Sequence, residues 1–221
     1  MNLRDVKVLP QRQSFGSMLR QGVEAVPGCC GTGLHAPAPL LFAPAGLPAA
    51  LAAPIAVDSA AVQGLPLDAL GIYPCEISRR QFEFLDHTAD VQIHSWGDSF
   101  AQAAEQAVVG MFNYISDTST VHVDAFWNRQ VCAAGHDLQS LLYNFMNDWL
   151  FEFCGNEFMP LTVKIVECDL EDFRIISVGA GERFDRAKHV LGTEVKAITY
   201  SAMQINQRSC GSYDIYVIVD I

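Results

Sequence analysis

The chain has 221 residues, 14 Lys+Arg against 25 Asp+Glu, and a formal net charge of −11 at pH 7. This length fits one ordinary domain with or without a tail, and half of the residues are apolar, which is enough to bury a sizeable core. The acidity is confined to residues 81–221, which carry 8 basic and 20 acidic side chains, against 6 and 5 in residues 1–80. Tight nucleic-acid binding needs clustered Lys and Arg. The composition therefore argues against direct RNA or DNA binding and favours a cation or a basic protein surface as partner.

The cysteines indicate a reducing compartment, cytoplasmic or nuclear. There are seven, an odd number, and none of them forms a C-x-x-C pair. A disulfide framework or a zinc site would show paired spacings, so neither is predicted.

The first 80 residues differ in composition from the rest, with nine of the ten prolines and eight of the sixteen glycines. Residues 36–57 are apolar and long enough to suggest a membrane span, but they contain five prolines, which disrupt a regular spanning helix. We therefore predict a disordered Ala/Pro/Gly-rich extension over residues 1–80. The basic residues near the start leave an organelle transit peptide as the alternative, which Asp5 and Glu24 argue against.

From residue 81 onward the patterns are those of a globular domain. Residues 82–85 and 91–96 predict two short strands separated by the polar turn DHTAD. Apolar residues recur at helical spacing over 98–114, with Asp98 or Ser99 as N-cap and Ser99-x-x-Gln102 as a capping box.

A second helix begins after Asp137, its predicted cap, and continues to about Phe153. Further strands are predicted over 120–131, 161–168, 173–178, 193–205 and 213–219. Several strands with two long helices and no regular alternation indicate an α+β fold, with a mixed β-sheet and both helices on one face.

The densest polar cluster is the turn Asp86-His87-Thr88-Ala89-Asp90. Two carboxylates and an imidazole within five residues suit half of a metal site or an acid/base pair. A turn stabilised by its own aspartates, with a histidine already hydrogen-bonded, explains the same residues without chemistry.

The second cluster is the pair Asp220-Ile221, which follows directly on an apolar strand pattern. An α-carboxylate there is ionised at pH 7, with a pKa of roughly 3.5, and lies one residue from the Asp220 side chain. Together with an oxygen from the DHTAD turn, it suits a hard cation such as Ca²⁺, Mg²⁺ or Mn²⁺.

Residues 179–197 carry several of the domain's few basic groups, among them Arg183, Arg186 and Lys188, between glycines. No phosphate-loop motif is present, so a solvated hairpin loop is predicted. Lys196 differs because it falls within a strand pattern. No histidine has the spacing of a zinc protease or a catalytic triad, and no nucleophile motif is present.

Four segments of the chain resemble the archease family. They are FEFLDHTADVQIHSWGDSFAQAAEQAVVGMFNYISD, DLQSLLYNFMNDWLFEF, GTEVKAITYSAMQ and the terminal VIVDI, which lie in order over residues 81–221. LDHTAD and the final DI are the most specific. Residues 206–212 lack the acidic character expected before the last strand, and residues 183–191 are generic.

The resemblance implies a small α+β protein of the strand-helix-strand-strand type. It also implies a non-catalytic activator of the tRNA-splicing RNA ligase, which promotes guanylylation of the ligase and its multiple turnover. The family's metal site maps to Asp90, Asp220 and Ile221, usually with Ca²⁺, and its important lysine maps to Lys196. Asp86 and His87 are accessory candidates.

Two other functions remain open at this point. One is a stand-alone metal-dependent hydrolase built on Asp86, His87 and Asp90; the other is a chaperone-like module that stabilises partners without chemistry. We expect no membrane association.

Overall fold

The computed structural model describes residues 59–221. Of the extension predicted for residues 1–80, residues 1–58 lie outside the described residues. Among those described, no helix is long and apolar enough to cross a membrane.

Two long helices, α2 and α3, follow a four-residue helix, α1. Their bounds are Pro74–Ile77 for α1, Phe100–Ile115 for α2 and Leu138–Asn156 for α3. Three-residue 3-10 helices lie at Ser59–Ala61, Thr118–Thr120 and Ala125–Trp127.

Eight strands are present in the described part of the chain. They are β1 (Phe82–Asp86), β2 (Val91–Gly97), β3 (Arg129–Ala134), β4 (Phe158–Asp169), β5 (Arg174–Arg183), β6 (Ala197–Ile198), β7 (Gln204–Gln207) and β8 (Tyr213–Asp220). A five-stranded sheet has the order β1-β2-β8-β6, with β7 also paired to β8, and a three-stranded sheet has the order β3-β5-β4.

The α+β class and the two long helices are confirmed. The strands form two sheets in place of the single mixed sheet predicted, and all the strand pairs of residues 59–221 are antiparallel. Both long helices contact strands of both sheets, α2 mainly β2 and β4, and α3 mainly β3.

Both predicted helix caps are observed. The Ser99 side chain accepts a hydrogen bond from the Gln102 amide at 3.2 Å, and the Gln102 side chain accepts one from the Asp98 amide at 2.6 Å. Asp137 accepts one from the Ser140 amide at 2.7 Å, and Ser140 completes a reciprocal capping box. The caps satisfy amides that lack partners in the first helical turn.

Two predicted strands are wrong in extent. Residues 120–128 are irregular and strand β3 begins only at Arg129, because the Asp124 side chain accepts from the Phe126 amide and starts a 3-10 turn. The predicted strand 193–205 is reduced to β6 and β7, and residues 199–203 leave the sheet between them.

Alternation along β2 and β8 places apolar residues against α2. The register pairs Val91 with Val219 and Ile93 with Val217, and all four are buried. Ser95 shares this face and donates to the Ala103 carbonyl of α2 at 2.8 Å. Since side chains alternate across a strand, His94 and Tyr216 lie on the opposite face.

Strand β5 approaches α3 closely. The Trp149 indole donates to Ser177 at 3.2 Å, and a side chain at Gly179 would collide with the Trp149 ring. Ser177 therefore faces α3, and its neighbour Val178 faces the other side of the sheet.

Residues 59–77, which we call the N-terminal strap, cover that other side. Val62, Leu70 and Ile72 are buried in one cluster with Val178 and Ala180 of β5. The Asn128 side-chain amide donates to the backbone carbonyls of Val62 and Leu65, at 3.2 and 2.9 Å. The extension predicted for residues 1–80 therefore cannot run to residue 80, because its last part is packed on the domain.

Candidate functional site

The DHTAD turn joins β1 to β2 as a hairpin. Asp86 pairs with Val91 across the turn, and Ala89 closes it with a left-handed backbone (φ 71°). This conformation is rare for a residue with a side chain and marks a constrained turn. Asp90 is half-buried and directly precedes Val91, which pairs with Val219 of β8. Asp90 and Asp220 therefore extend from one paired position on neighbouring strands.

Lys196 joins the same end of the sheet from the other side of β8. Ala197 pairs with Asp220, and the Lys196 amide donates to the Asp220 carbonyl at 2.8 Å. The Lys196 ammonium donates to the main-chain oxygen of Ile221 at 2.9 Å. The register of β2, β8 and β6 thus collects Asp90, Asp220, Ile221 and Lys196 from three distant parts of the chain.

The donor chemistry of this group fits a hard cation. Asp90 and Asp220 supply carboxylate oxygens, and Ile221 supplies main-chain oxygen, the ligand type that Ca²⁺ and Mg²⁺ prefer. Within residues 59–221 no group of three or more His, Cys, Asp or Glu side chains is placed to hold a metal ion. A site here must count main-chain oxygen as a donor, and one such oxygen already accepts a hydrogen bond from Lys196.

The accessory candidates lie at the edge of the group. Asp86 and His87 are both exposed, and the His87 Nδ1 atom lies 3.5 Å from Asp90 Oδ2. This contact couples His87 to Asp90, but its length makes it weak in water.

The basic loop predicted to be solvated is anchored by a polar cluster. The His189 ring is fully buried and accepts a hydrogen bond from the Asp185 amide at 2.9 Å on Nδ1, so its Nε2 carries the proton toward Glu182. Lys188 donates to Glu182 at 2.7 Å and to His122 Nδ1 at 2.9 Å. Burial alone would raise the pKa of Glu182, but hydrogen bonds from His122, Lys188 and His189 lower it.

The loop after this cluster leads to Lys196 and is fixed to the end of α2. The amides of Gly192 and Thr193 donate to the carbonyls of Ile115 and Tyr114, at 2.8 and 3.2 Å. Within residues 188–193 the predicted loop is thus hydrogen-bonded to the domain and buries His189, although Val190 and Gly192 are exposed, and residues 179–183 belong to β5. The fixed loop gives Lys196 a defined approach to β8.

A second polar network, on the outer face of the five-stranded sheet, was not predicted. His94 lies between Glu83 at 2.8 Å and Asp214 at 3.0 Å, and its ring stacks on Tyr216 at 4.2 Å. Arg208 also binds Asp214 through two guanidinium nitrogens. Burial would raise the pKa of Asp214, but the hydrogen bonds from Arg208 and His94 hold it below its usual range. These residues meet only through strand register, so their spacing in the sequence gave no signal.

Comparison with known proteins places these motifs in a family. The model of the archease protein family matches residues 82–221. The chain belongs to the archease family. Zebrafish (Danio rerio) protein archease is 50% identical over 144 residues, covering 64% of this chain and 86% of that protein. Drosophila melanogaster protein archease-like is 45% identical over 143 residues, covering 64% and 90%.

A solved structure shows the same fold. The solution structure of Methanobacterium thermoautotrophicum protein 1598 is 30% identical, with a TM-score of 0.55 over 65% of this chain and all of that one. The archease match includes the DHTAD turn, Lys196 and the last strand. It begins after the N-terminal strap, so the strap lies outside the region shared with the family model.

Proposed function

We propose that this archease is a non-catalytic activator of the tRNA-splicing RNA ligase, which promotes guanylylation of the ligase and its multiple turnover. Membership of the archease family carries the proposal. The structure supports it by bringing Asp90, Asp220, Ile221 and Lys196 to one end of a sheet. We place this activity in the cytoplasm, the nucleus or both.

We further propose that Asp90, Asp220 and Ile221 hold a divalent cation, with Ca²⁺ first and Mg²⁺ or Mn²⁺ as alternatives. Lys196 would orient a carboxylate or phosphate beside them. When bound, the ion would add positive charge to a turn whose own charged side chains are carboxylates. In docking, this end of the domain would approach the nucleotide pocket of the ligase, where a metal ion or histidine is positioned for attack on GTP.

The charge of the domain favours a protein partner over RNA. A ligase that holds RNA is basic near its active site, whereas residues 81–221 carry a large acidic excess. Opposite charges steer the two proteins together and allow brief docking.

Two histidines outside the DHTAD turn offer a hydrolase no general base, because their ring nitrogens are already hydrogen-bonded. Both ring nitrogens of His94 face carboxylates, and both of His189 are used inside the domain. Neither is free to take a proton from a substrate, and the hydrolase alternative still rests on the exposed His87 between Asp86 and Asp90.

The deciding experiment adds purified protein to the ligase with GTP and a tRNA-exon substrate. Rate enhancement at substoichiometric amounts supports the activator. Turnover of a substrate without ligase would identify a hydrolase, and rescue only at equimolar amounts would identify a chaperone-like module.

The matched variants Asp90→Asn and Asp98→Asn remove the same charge from two positions, of which Asp98 is exposed at the start of α2. We expect Asp90→Asn to lower activation at least tenfold with an unchanged circular dichroism spectrum, and Asp98→Asn to retain it. Equal activation by both variants would exclude Asp90 from the site.

A further inference from the structure

The loop between β6 and β7 carries Tyr200, which stacks on Tyr143 of α3 close to the proposed site. The Tyr200 and Tyr143 rings are parallel, with centroids 4.3 Å apart and planes at 5°. Tyr143 covers one side of the Tyr200 ring, and Tyr200 is still 53% exposed. The pair is therefore a supported aromatic surface with one side open to solvent.

The loop that carries Tyr200 has a strained backbone and is held by hydrogen bonds. Residues 199–203 leave the edge of β8 between β6 and β7, and Ala202 has a left-handed backbone (φ 49°). The Gln139 side chain of α3 donates to the Met203 carbonyl at 3.2 Å, and the Thr199 hydroxyl donates to Ile218 at 2.9 Å. A strained loop held by these hydrogen bonds fixes the orientation of the Tyr200 ring. Strained backbone and interrupted strand edges are concentrated at binding sites.

The covalent reach of the chain places the pair beside the proposed site. Tyr200 is three residues from Ala197, at most roughly 11 Å along the chain. Ala197 pairs with Asp220, about 5 Å across the ladder. The Tyr200 backbone therefore lies within about 16 Å of Asp220, inside the footprint of one protein–protein interface.

A carboxylate acts on the Tyr200 ring. Asp137, the cap of α3, acts electrostatically on Tyr200; burial, Tyr143 and Asp137 together raise the pKa of its hydroxyl. A cation gains from both the π face of a tyrosine and a nearby carboxylate. An anion would be repelled by Asp137, and so would a nucleotide without its metal ion.

We propose that Tyr200, supported by Tyr143, is a docking point for an arginine or lysine side chain on the basic surface of the partner. This deepens the proposed function, since the partner is the RNA ligase. The positive head group lies over the open side of the ring, and the aromatic stack keeps the ring in place without further ordering cost.

Two substitutions distinguish binding to the π face of Tyr200 from binding that depends only on apolar volume. Tyr200→Phe keeps the ring, and Tyr200→Leu keeps apolar volume without it. Phe126→Leu, at a residue 76% exposed in the 3-10 helix Ala125–Trp127, is the control. Affinity for the ligase catalytic subunit, measured by calorimetry, should fall roughly 2- to 30-fold for Tyr200→Leu. It should stay within about twofold for Tyr200→Phe and Phe126→Leu.

A nine-residue oligoarginine peptide tests the docking point without the ligase. All variants have the same charge, so weaker peptide binding by Tyr200→Leu alone reports the cation–π contact. Equal peptide and ligase binding by Tyr200→Leu and wild type would overturn the proposal. Normal ligase affinity with a raised GTP requirement would also overturn it, and would indicate a nucleobase on the ring.

The failure of this proposal differs from failure of the activator function. If Tyr200→Leu binds and activates normally while Asp90→Asn does not activate, the activator function stands and the docking point is wrong. If wild type does not activate the ligase at all, the activator function is wrong, and oligoarginine binding alone decides whether Tyr200 binds cations.

Discussion

Asp148 on α3 is a half-buried carboxyl whose ionisation opposes folding. Burial raises its pKa from 3.8 to about 6; the Asn147 side chain partly offsets this shift, and Glu152 adds to it. Between pH 4 and 6 the folded state therefore binds more protons than the unfolded state, and stability falls as the pH rises through this window.

We expect Asp148→Asn to remove this pH dependence. The variant should match wild type near pH 4 and exceed it by about 1 kcal/mol at pH 7, after allowing for solvent screening at a partly exposed group. Urea unfolding of both proteins at pH 4, 5, 6 and 7 measures the difference. A gap that stays constant with pH would show that Asp148 does not titrate as described.

Individual residues were predictable where a local motif carries them. The caps of α2 and α3, Ser99 and Asp137, and the DHTAD turn act through contacts within a few residues, so spacing in the sequence is enough. The pairing of His94 with Asp214 spans 120 residues and depends on the register of β2 and β8. No sequence pattern encodes that register directly, so this network could not be predicted.

At the scale of elements, periodicity predicted the helices and the buried strands. Helices α2 and α3 have wide apolar faces. Buried and partly exposed residues alternate along β2, and most residues of β8 are buried. Residues 193–205 have the β-branched residues of a strand, yet residues 199–203 leave the sheet, and the Gln139 side chain of α3 takes the Met203 carbonyl. Here tertiary contacts override local propensity.

Strand β8 is the element on which the proposed metal site depends. In the proposed site Ile221 acts as a charged α-carboxylate, which a short tag added after it would replace with a neutral peptide carbonyl. A hard divalent ion depends on that charge, so its affinity should fall, whereas β8 keeps its pairing with β2.

We therefore expect a tag after Ile221 to weaken Ca²⁺ binding and ligase activation at least tenfold relative to the same tag at Met1. Thermal stability without metal should agree within about 2 °C. Calorimetric Ca²⁺ titration, followed by the ligation assay, measures both effects. Equal behaviour of the two tagged proteins would remove Ile221 from the site and leave Asp86, His87 and Asp90 as the donors to test.

At the scale of the whole molecule, the packed domain is larger than the region that matches the archease family. The family model begins at residue 82, but Val62, Leu70 and Ile72 of the N-terminal strap are buried against β5. The packing of the strap could not be predicted from composition, because the strap lies in the Pro- and Gly-rich part of the chain and lacks a long periodic element. Its apolar residues follow neither helical nor strand spacing for long, and their burial depends on the face of β5 that they cover.

Two truncations test the strap. Removal of residues 1–58 should leave the melting temperature of the domain nearly unchanged, as the composition of that segment predicts. Removal of residues 1–80 exposes Val178 and Ala180 and deprives the Asn128 amide of its two carbonyl acceptors. After the entropy of ordering the strap is subtracted, a loss of about 2–4 kcal/mol remains, which lowers the melting temperature by roughly 5–15 °C.

A point variant in the full chain separates packing from chain length. Ile72 is 1% exposed and Leu65 is 37% exposed, so Ile72→Ala should cost about 2–4 kcal/mol and Leu65→Ala under 1 kcal/mol. Scanning calorimetry of these two variants and both truncations provides the comparison. The strap contributes no packing energy, and the domain begins at β1, under either of two results. One is that the protein lacking residues 1–80 melts at the wild-type temperature; the other is that Ile72→Ala lowers the melting temperature no more than Leu65→Ala does. If the losses appear while ligase activation persists at low temperature, the strap stabilises the domain and the proposed site functions without it.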